Sequence, residues 1–158
     1  MFSMCSIPLA EIRDAGLVPV PQASFLVNDD PSASLTKYPF RDAIDAGVPF
    51  ANSSDCTGSQ PTLVSPWVGI SAMLTRSNRN GDVIDPGQAV TLTEALRSYT
   101  SGSAYAAFEE EAKGTIEPGK LADLAVVASD PYAMPPADLA GMTTDMTVIG
   151  GQIRFRRF

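Results

Sequence analysis

One carboxylate stands where functional groups of α/β folds commonly gather. Asp55 ends the short apolar segment "VPFANSSD" and is followed by the loop "CTGSQPTLVSP". In parallel α/β folds the carboxyl ends of the strands form the edge that carries functional groups. A carboxylate there can ligate a metal ion or take a proton from a metal-bound water. The alternative interpretation is an aspartate that bonds the amides of its own loop or caps the next helix.

The chain contains no histidine, which narrows its possible chemistry. Without an imidazole it cannot form a Ser-His-Asp triad, an H-E-x-x-H site or a Cys₂His₂ finger. Chemistry performed by the chain alone must therefore use carboxylates, lysines or hydroxyls. Cys5 and Cys56 form neither a C-x-x-C pair nor a disulfide framework. We expect two small buried thiols and a reducing, cytoplasmic location.

The stretch "GTIEPGKLADL" has the glycine and lysine spacing of a phosphate-binding loop. Such a loop needs Ser or Thr after its lysine, but Leu121 occupies that position. The segment upstream is the acidic helical run "YAAFEEEAK" instead of an apolar strand, and Pro118 lacks an N–H. We instead predict a type II β-turn over residues 117–120, with Lys120 solvated at its tip. Nucleotide binding is therefore disfavoured.

Three further polar clusters are weaker candidates. The first consists of Asn28, Asp29 and Asp30 and could face the same edge as Asp55, but Asn-Asp-Asp-Pro runs are more often solvated turns. The second consists of Glu109, Glu110 and Glu111 and is expected at an exposed helix end. The third consists of Arg154, Arg156 and Arg157 and is expected on the polar face of a strand.

The first third of the chain predicts a strand, a helix and a second strand. "LVPVPQASFL" and "VPFANSSD" are the predicted strands, although Pro19 and Pro21 each remove a ladder donor from the first. Between them, "TKYPFRDAIDAG" places Pro39 early in a helix and Gly47 just past its end. This order and spacing predict a βαβ unit with a parallel sheet.

The remaining pattern predicts helices followed by short strands. "SPWVGISAMLTRS" and "TLTEALRSYT" are predicted helices, the second beginning with a Thr91–Glu94 capping box, and "SGSAYAAFEEEAK" is a third. From Gly114 onward, "LADLAVVAS" is a predicted strand and "MTVIGGQIRFR" a predicted hairpin around Gly150 and Gly151.

Composition bounds the possible partners. The 158 residues carry a formal charge of −7 and are 44% hydrophobic, enough for a globular domain with a core. The acidity argues against nucleic acid and anionic membranes, both of which need basic patches. The apolar runs are shorter than the ~20 residues that span a bilayer. The start of the sequence has no basic residue before its short apolar stretch, so no signal peptide is expected.

Several segments together resemble the metal-dependent amidohydrolase superfamily, and most of all its amidohydrolase 3 (YtcJ-like) branch. "ALRSYTSGSAYAAFEEEAKGTIEPGKLADLAVVASDP" is similar to the C-terminal signature of that family. "YPFRDAIDAGVPFANSSD" is similar to the end of its barrel, where the last strand delivers an aspartate, and "VIGGQIRF" resembles its closing hairpin. The resemblance covers nearly the whole chain.

The resemblance implies an α/β fold, the C-terminal portion of a (β/α)₈ barrel followed by strands of a small β-sandwich. Residues 1–110 would hold the last strand-helix units of the barrel, and residues 111–158 the strands of the composite sandwich. A complete barrel needs ~250 residues, so the sheet would have open edges through which the chain could self-associate.

The resemblance also implies hydrolysis of non-peptide C–N bonds in small amide-like substrates, with a divalent metal such as zinc. Asp55 would be both a metal ligand and the general base. The family's histidine ligands have no counterpart here, and Ser3 and Met4 precede Cys5 where relatives often have Glu-His. We therefore expect a C-terminal fragment that is inactive alone. The alternative is a non-catalytic truncated paralogue that acts as a subunit or binding module.

Overall fold

The computed structural model describes residues 7–30, 38–55 and 64–158. Cys5, Cys56 and the loop that follows Asp55 lie outside the described residues, so the expectation of two buried thiols stays a prediction. Among the described residues, no helix combines the length and apolar character that a bilayer crossing needs.

The described elements are mostly short helices followed by a small sheet. Two extended segments without regular strand structure cover residues 17–22 and 48–55 and are called here the first and second extended segments. The helices are α1 (Leu9–Asp14), α2 (Phe40–Asp45), α3 (Pro66–Thr75), α4 (Leu92–Tyr99) and α5 (Ser101–Ala106). The strands are β1 (Leu124–Val127), β2 (Thr144–Ile149) and β3 (Gln152–Arg156), and 3₁₀ helices span Ala23–Asn28, Pro86–Gln88, Pro131–Ala133 and Asp138–Gly141.

The two extended segments lie side by side in the same direction. The amide of Ala51 donates to the carbonyl of Pro19 (3.1 Å), and the amide of Ser53 donates to that of Pro21 (3.2 Å). Both pairs have the same sequence offset, as in parallel strands. Pro19 and Pro21 have no N–H, so they cannot donate hydrogen bonds back to the second extended segment. The two segments thus have the relative direction that a βαβ unit predicts, but neither is a regular strand.

The predicted strand over "LVPVPQASFL" is wrong in its second half, where residues Ala23–Asn28 form a 3₁₀ helix. Ala23 and Leu26 are fully buried and stand three residues apart. That spacing puts both side chains on one face of a 3₁₀ helix, whereas a strand would point them to opposite faces. Burial of this pair in the core therefore favours the helix.

Several local helix and turn signals are confirmed, whereas the predicted helix "SGSAYAAFEEEAK" ends at Ala106. Gly47 follows α2 with a φ of 69° and donates to the carbonyl of Ile44. The α4 capping box is complete, with Thr91 Oγ1 accepting from the Glu94 amide (3.3 Å) and Glu94 Oε2 accepting from the Thr91 amide (2.8 Å). Gly119 has a φ of 93° and the amide at position 120 donates to the carbonyl at 117, as a type II turn requires.

The C-terminal part of the chain forms a three-stranded antiparallel sheet in the order β1-β2-β3. Gly150 and Gly151 join β2 to β3 with φ values of 56° and 75°, the left-handed conformation of a type I′ hairpin turn. Every residue of β3 is exposed, and Ile149, Ile153 and Phe155 are each about half exposed. The sheet therefore presents apolar side chains and an uncovered edge strand.

A single buried cluster connects the helices to the C-terminal part of the chain. Ile70 and Met73 of α3 are buried, and the partly buried Trp67 packs against the same cluster. Leu139 and Met142, from the connection between β1 and β2, are buried in it too. The members are Ile12, Ala23, Phe40, Ala43, Val48, Phe50, Ile70, Met73, Val90, Ala95, Leu139 and Met142.

The outer side of the second extended segment is covered by helices, where an open barrel edge was expected. The amide of Asn52 donates to the carbonyl of Ser98 at the end of α4 (3.0 Å). Gly102 of α5 lies so close that an added Cβ would stand 2.5 Å from the carbonyl oxygen of Phe50. The open edges expected of an incomplete barrel stay a prediction, and the uncovered edge described here is that of β3.

We expect Gly102→Ala to destabilise the protein by roughly 1–3 kcal/mol, since the methyl group would overlap a backbone oxygen that cannot rotate away. Urea unfolding followed by circular dichroism measures the change. Gly141→Ala is the matched control because an added Cβ there meets nothing within 4 Å. Equal stability of the two variants would contradict the close packing of α5 on the second extended segment.

Candidate active site

Asp55 lies exposed at the carboxyl end of the second extended segment. Its φ is 43°, in the left-handed region that aspartate tolerates better than most residues. No hydrogen bond or ion pair of its carboxylate is found within the described part of the chain. The next described helix, α3, is preceded by Ser65 and has no side-chain cap. The structure thus provides no support for Asp55 as a cap, and its carboxylate is accessible.

Gln22 is a second polar side chain at this end, and the sequence analysis missed it. Its Nε2 donates to the carbonyl of Val20 (2.8 Å) and to Ser53 Oγ (3.3 Å), which joins the ends of the two extended segments. The available signal was its position directly after Pro21, where an extended segment broken by prolines would end. Treating "LVPVPQASFL" as one strand concealed that end.

Asn52 fixes the position of this end against the helices. It is 6% exposed, and its Oδ1 accepts from the amide of Ala23 (3.3 Å). Its Nδ2 donates to Ser98 Oγ (2.8 Å), which donates in turn to the carbonyl of Ala95 (2.7 Å). The buried amide is therefore bonded on both sides, to the first turn of the 3₁₀ helix and to α4. This anchoring holds the backbone three residues before Asp55.

The cluster of Asn28, Asp29 and Asp30 forms a separate polar site. Asn28 accepts a hydrogen bond from Arg79, and the carbonyl of Asp29 accepts from Asn78 Nδ2 (3.1 Å). Together with residues 78–80 they line a pocket of about 230 Å³. Asn28 and Asp30 are exposed, as expected of a turn, while Asp29 is half-buried. No contact in the described residues joins this cluster to Asp55.

The prediction that Lys120 is solvated is wrong. Its Nζ donates to the carbonyl of Glu110 (2.7 Å) and to Thr115 Oγ1 (2.7 Å), and its side chain is only 17% exposed. The turn folds the lysine back across residues 110–115, whose backbone and hydroxyl oxygens replace water as its partners. Lys120 therefore holds the turn in place and is not a ligand-binding group.

The two other polar clusters are mainly structural. Glu109 and Glu111 are exposed as expected, and Glu109 pairs with Lys113. Glu110 is half-buried, contrary to the expectation of full exposure, and its backbone carbonyl accepts from Lys120 Nζ. Arg157 pairs with Asp145 (2.6 Å), and all three C-terminal arginines are exposed.

A bidentate ion pair joins α2 to α4. Arg41 donates to Glu94 through both Nη atoms, at 3.0 and 2.6 Å. This bidentate pair, helped by hydrogen bonds from Thr91, lowers the pKa of Glu94 to about 2 from 4.5. A lowered pKa means that the pair stabilises the fold above about pH 4.5 and that this stabilisation is lost as the pH falls toward 2.

We expect Glu94→Gln to remove about 1–2 kcal/mol of stability at pH 6 and almost none at pH 2. Glutamine keeps the capping-box geometry but not the charge, so the difference reports the ion pair. Urea unfolding at the two pH values measures it, with Asp45→Asn as a control for a mostly exposed partner of the same arginine. A pH-independent effect of Glu94→Gln would show that the charge is not the cause.

The described residues do not by themselves form a metal site. They contain no group of three or more His, Cys, Asp or Glu side chains that could hold an ion. Catalytic zinc sites use three protein ligands, and Asp55 supplies one carboxylate. The accessible Asp55 therefore fits a metal centre only as one ligand among others.

Comparison with known proteins identifies the family. The family model described as "Amidohydrolase family" matches residues 9–155. The putative amidohydrolase YtcJ of Bacillus subtilis is 34% identical over 125 residues, which cover 77% of this chain and 23% of that protein. The N-substituted formamide deformylase of Arthrobacter pascens is 33% identical over 125 residues, which cover 78% of this chain and 22% of that protein.

Solved structures share the fold. A zinc-bound adenosine deaminase from Xanthomonas campestris superposes with a TM-score of 0.68 at 22% identity, over 96% of this chain and 36% of that one. An amidohydrolase from Thermotoga maritima gives a TM-score of 0.67 at 21% identity, over 94% and 34%. The chain spans less than a quarter of the length of the two curated relatives and little more than a third of these structures. The chain belongs to the amidohydrolase family, in its amidohydrolase 3 branch.

Proposed function

We propose that the chain is the C-terminal portion of a metal-dependent amidohydrolase that hydrolyses non-peptide C–N bonds in small amide-like molecules. The observation that carries this proposal is Asp55, an accessible carboxylate in a left-handed backbone conformation at the carboxyl end of an extended segment. The named deformylase among the relatives supports the substrate class.

Asp55 is the residue to which we assign the proton transfers. Its carboxylate takes a proton from water, the water oxygen bonds to the carbonyl carbon, and the C–N bond breaks as the proton passes to the leaving nitrogen. The products are a carboxylic acid and an amine. A divalent metal, zinc in our proposal, belongs to the complete protein, and its other ligands lie outside these 158 residues, which contain no histidine.

The architecture that we propose follows from the same family membership. Residues 1–110 are the last strand-helix units of a (β/α)₈ barrel, and residues 111–158 contribute strands to a small β-sandwich. The half-exposed apolar residues of the C-terminal sheet support contacts beyond this chain, including self-association through its edges. We place the protein in the cytoplasm.

A chimera tests the activity. The 125-residue matching segment of the Arthrobacter pascens deformylase is replaced by this chain, and amine release from an N-substituted formamide is measured. We expect the chimera to be active, and both the deformylase without its segment and the present chain alone to be inactive. A chimera that folds, binds metal and releases no amine would refute the proposed function.

A non-catalytic subunit or binding module is the second candidate. The exposed apolar face of the C-terminal sheet favours it, because such faces on small sheets usually pack against another element. Light scattering distinguishes a chain that associates from one that stays monomeric. An inactive chimera together with stable association of the native chain would favour this candidate.

A further inference from the structure

An open groove lies at the end of the second extended segment opposite to Asp55. Residues 47–50 form one wall and residues 94–105 of α4 and α5 form the other, around a volume of about 420 Å³. Small-molecule sites occupy roughly 300–1,000 Å³. The extended backbone between Val48 and Asp55 places the groove on the order of 20 Å from the candidate active site. The two sites are thus separate.

The lining of the groove is mainly apolar. Ile44 and Tyr105, which is 45% exposed, contribute accessible hydrocarbon surface, while Val48 and Phe50 line the groove from the buried core. Gly102 belongs to the lining and keeps α5 close to the backbone of the second extended segment.

The charges around the groove leave one positive group without an ionic partner. Glu94 lines the groove, but its carboxylate is engaged by both Nη atoms of Arg41 and by Thr91. Arg97 also lines the groove, one turn further along α4, and is exposed. Within the described residues its guanidinium makes no ion pair or hydrogen bond. Arg97 is therefore the charged side chain of the lining that remains available to pair with a ligand.

We propose that this groove binds a small molecule that carries one carboxylate on an apolar, aromatic or alkyl body. The apolar body contacts Ile44 and Tyr105, and the carboxylate pairs with Arg97, whose planar guanidinium can donate two parallel hydrogen bonds to it. A neutral ligand would leave the arginine unpaired, and a cation would be repelled by it. The site is separate from Asp55.

Titration of the complete chain with 4-phenylbutanoate tests the proposal, with 4-phenylbutanamide as the neutral analogue. We expect a Kd on the order of 1 mM for the acid, as for a ligand of about a dozen heavy atoms. The amide should bind at least about fivefold more weakly, because it lacks the charge. Amide chemical shifts in NMR should change at residues 44–50 and 94–105.

Arg97→Gln should weaken binding of the acid at least about fivefold without changing binding of the amide. Arg79→Gln is the matched control, since Arg79 is also exposed but lies outside the groove. Asp55→Asn should leave binding unchanged, which separates this site from the proposed active site. Equal binding of acid and amide, full binding by Arg97→Gln, or shift changes confined to other residues would each overturn the proposal.

Discussion

In the deformylase chimera, Asp55→Asn is expected to lower the turnover of the N-substituted formamide by about 10²–10⁴-fold. This range is what a positioned general base typically contributes, and the amide of asparagine cannot accept the proton from water. Asparagine is nearly isosteric and also tolerates the φ of 43° at this position, so the backbone should be retained. The measurement is kcat from amine release at saturating substrate.

Asp45→Asn is the control for this substitution. Asp45 is an exposed aspartate of α2 whose side chain is 65% exposed, so its replacement should change kcat less than about twofold. Metal content measured by mass spectrometry on both chimeras separates a lost ligand from a lost base. If Asp55→Asn retains full turnover and full metal content, Asp55 has neither role and the assignment fails.

Arg76→Met is expected to destabilise the native chain by about 3–5 kcal/mol, the range for removing one partner of a buried charged network. Arg76 is fully buried, with Nε donating to the carbonyl of Ile84 (3.0 Å) and Nη1 to that of Tyr38 (3.2 Å). Its guanidinium carbon lies 5.7 Å from the centre of the Phe40 ring. Methionine fills much of the volume but removes the donor to the Ile84 carbonyl and one of the two donors to the Tyr38 carbonyl, which also accepts from the Phe40 amide (2.8 Å).

Two nearby carboxylates oppose the effect of burial on the pKa of Arg76. Desolvation lowers the pKa of Arg76, while the carboxylates of Asp85 and Asp29 act in the opposite direction. Burial also raises the pKa of the neighbouring Tyr38 to about 12, so its phenol stays protonated at neutral pH. Removing the guanidinium would therefore leave two carboxylates with less compensation and the Ile84 carbonyl without its Arg76 donor.

Urea unfolding of Arg76→Met and of the native chain, monitored by circular dichroism, measures this loss. Arg79→Met is the control because Arg79 is exposed three residues further along the same segment, and its replacement should cost less than about 1 kcal/mol. Similar unfolding midpoints for the two variants would show that the buried arginine does not stabilise the fold as argued.

Elements with local signals could be predicted from the amino-acid sequence. The capping box of α4, the glycine that follows α2, the turn at residues 117–120 and the hairpin at Gly150 and Gly151 each depend on fewer than five neighbouring residues. A proline, a glycine or a capping side chain fixes the backbone there whatever surrounds it. The family membership and the choice of Asp55 as the candidate carboxylate also came from the sequence.

Contacts between distant residues could not be predicted and became visible in the folded chain. Gln22 meets Ser53 across 31 positions, Arg76 meets Tyr38 across 38, and Asn52 meets Ser98 across 46. The burial of Arg76 and the 3₁₀ helix at Ala23–Asn28 follow from such packing, and so does the helical cover of the second extended segment. The physical reason is that a buried polar group must be bonded by whichever partners the fold brings to it, and sequence spacing does not specify them.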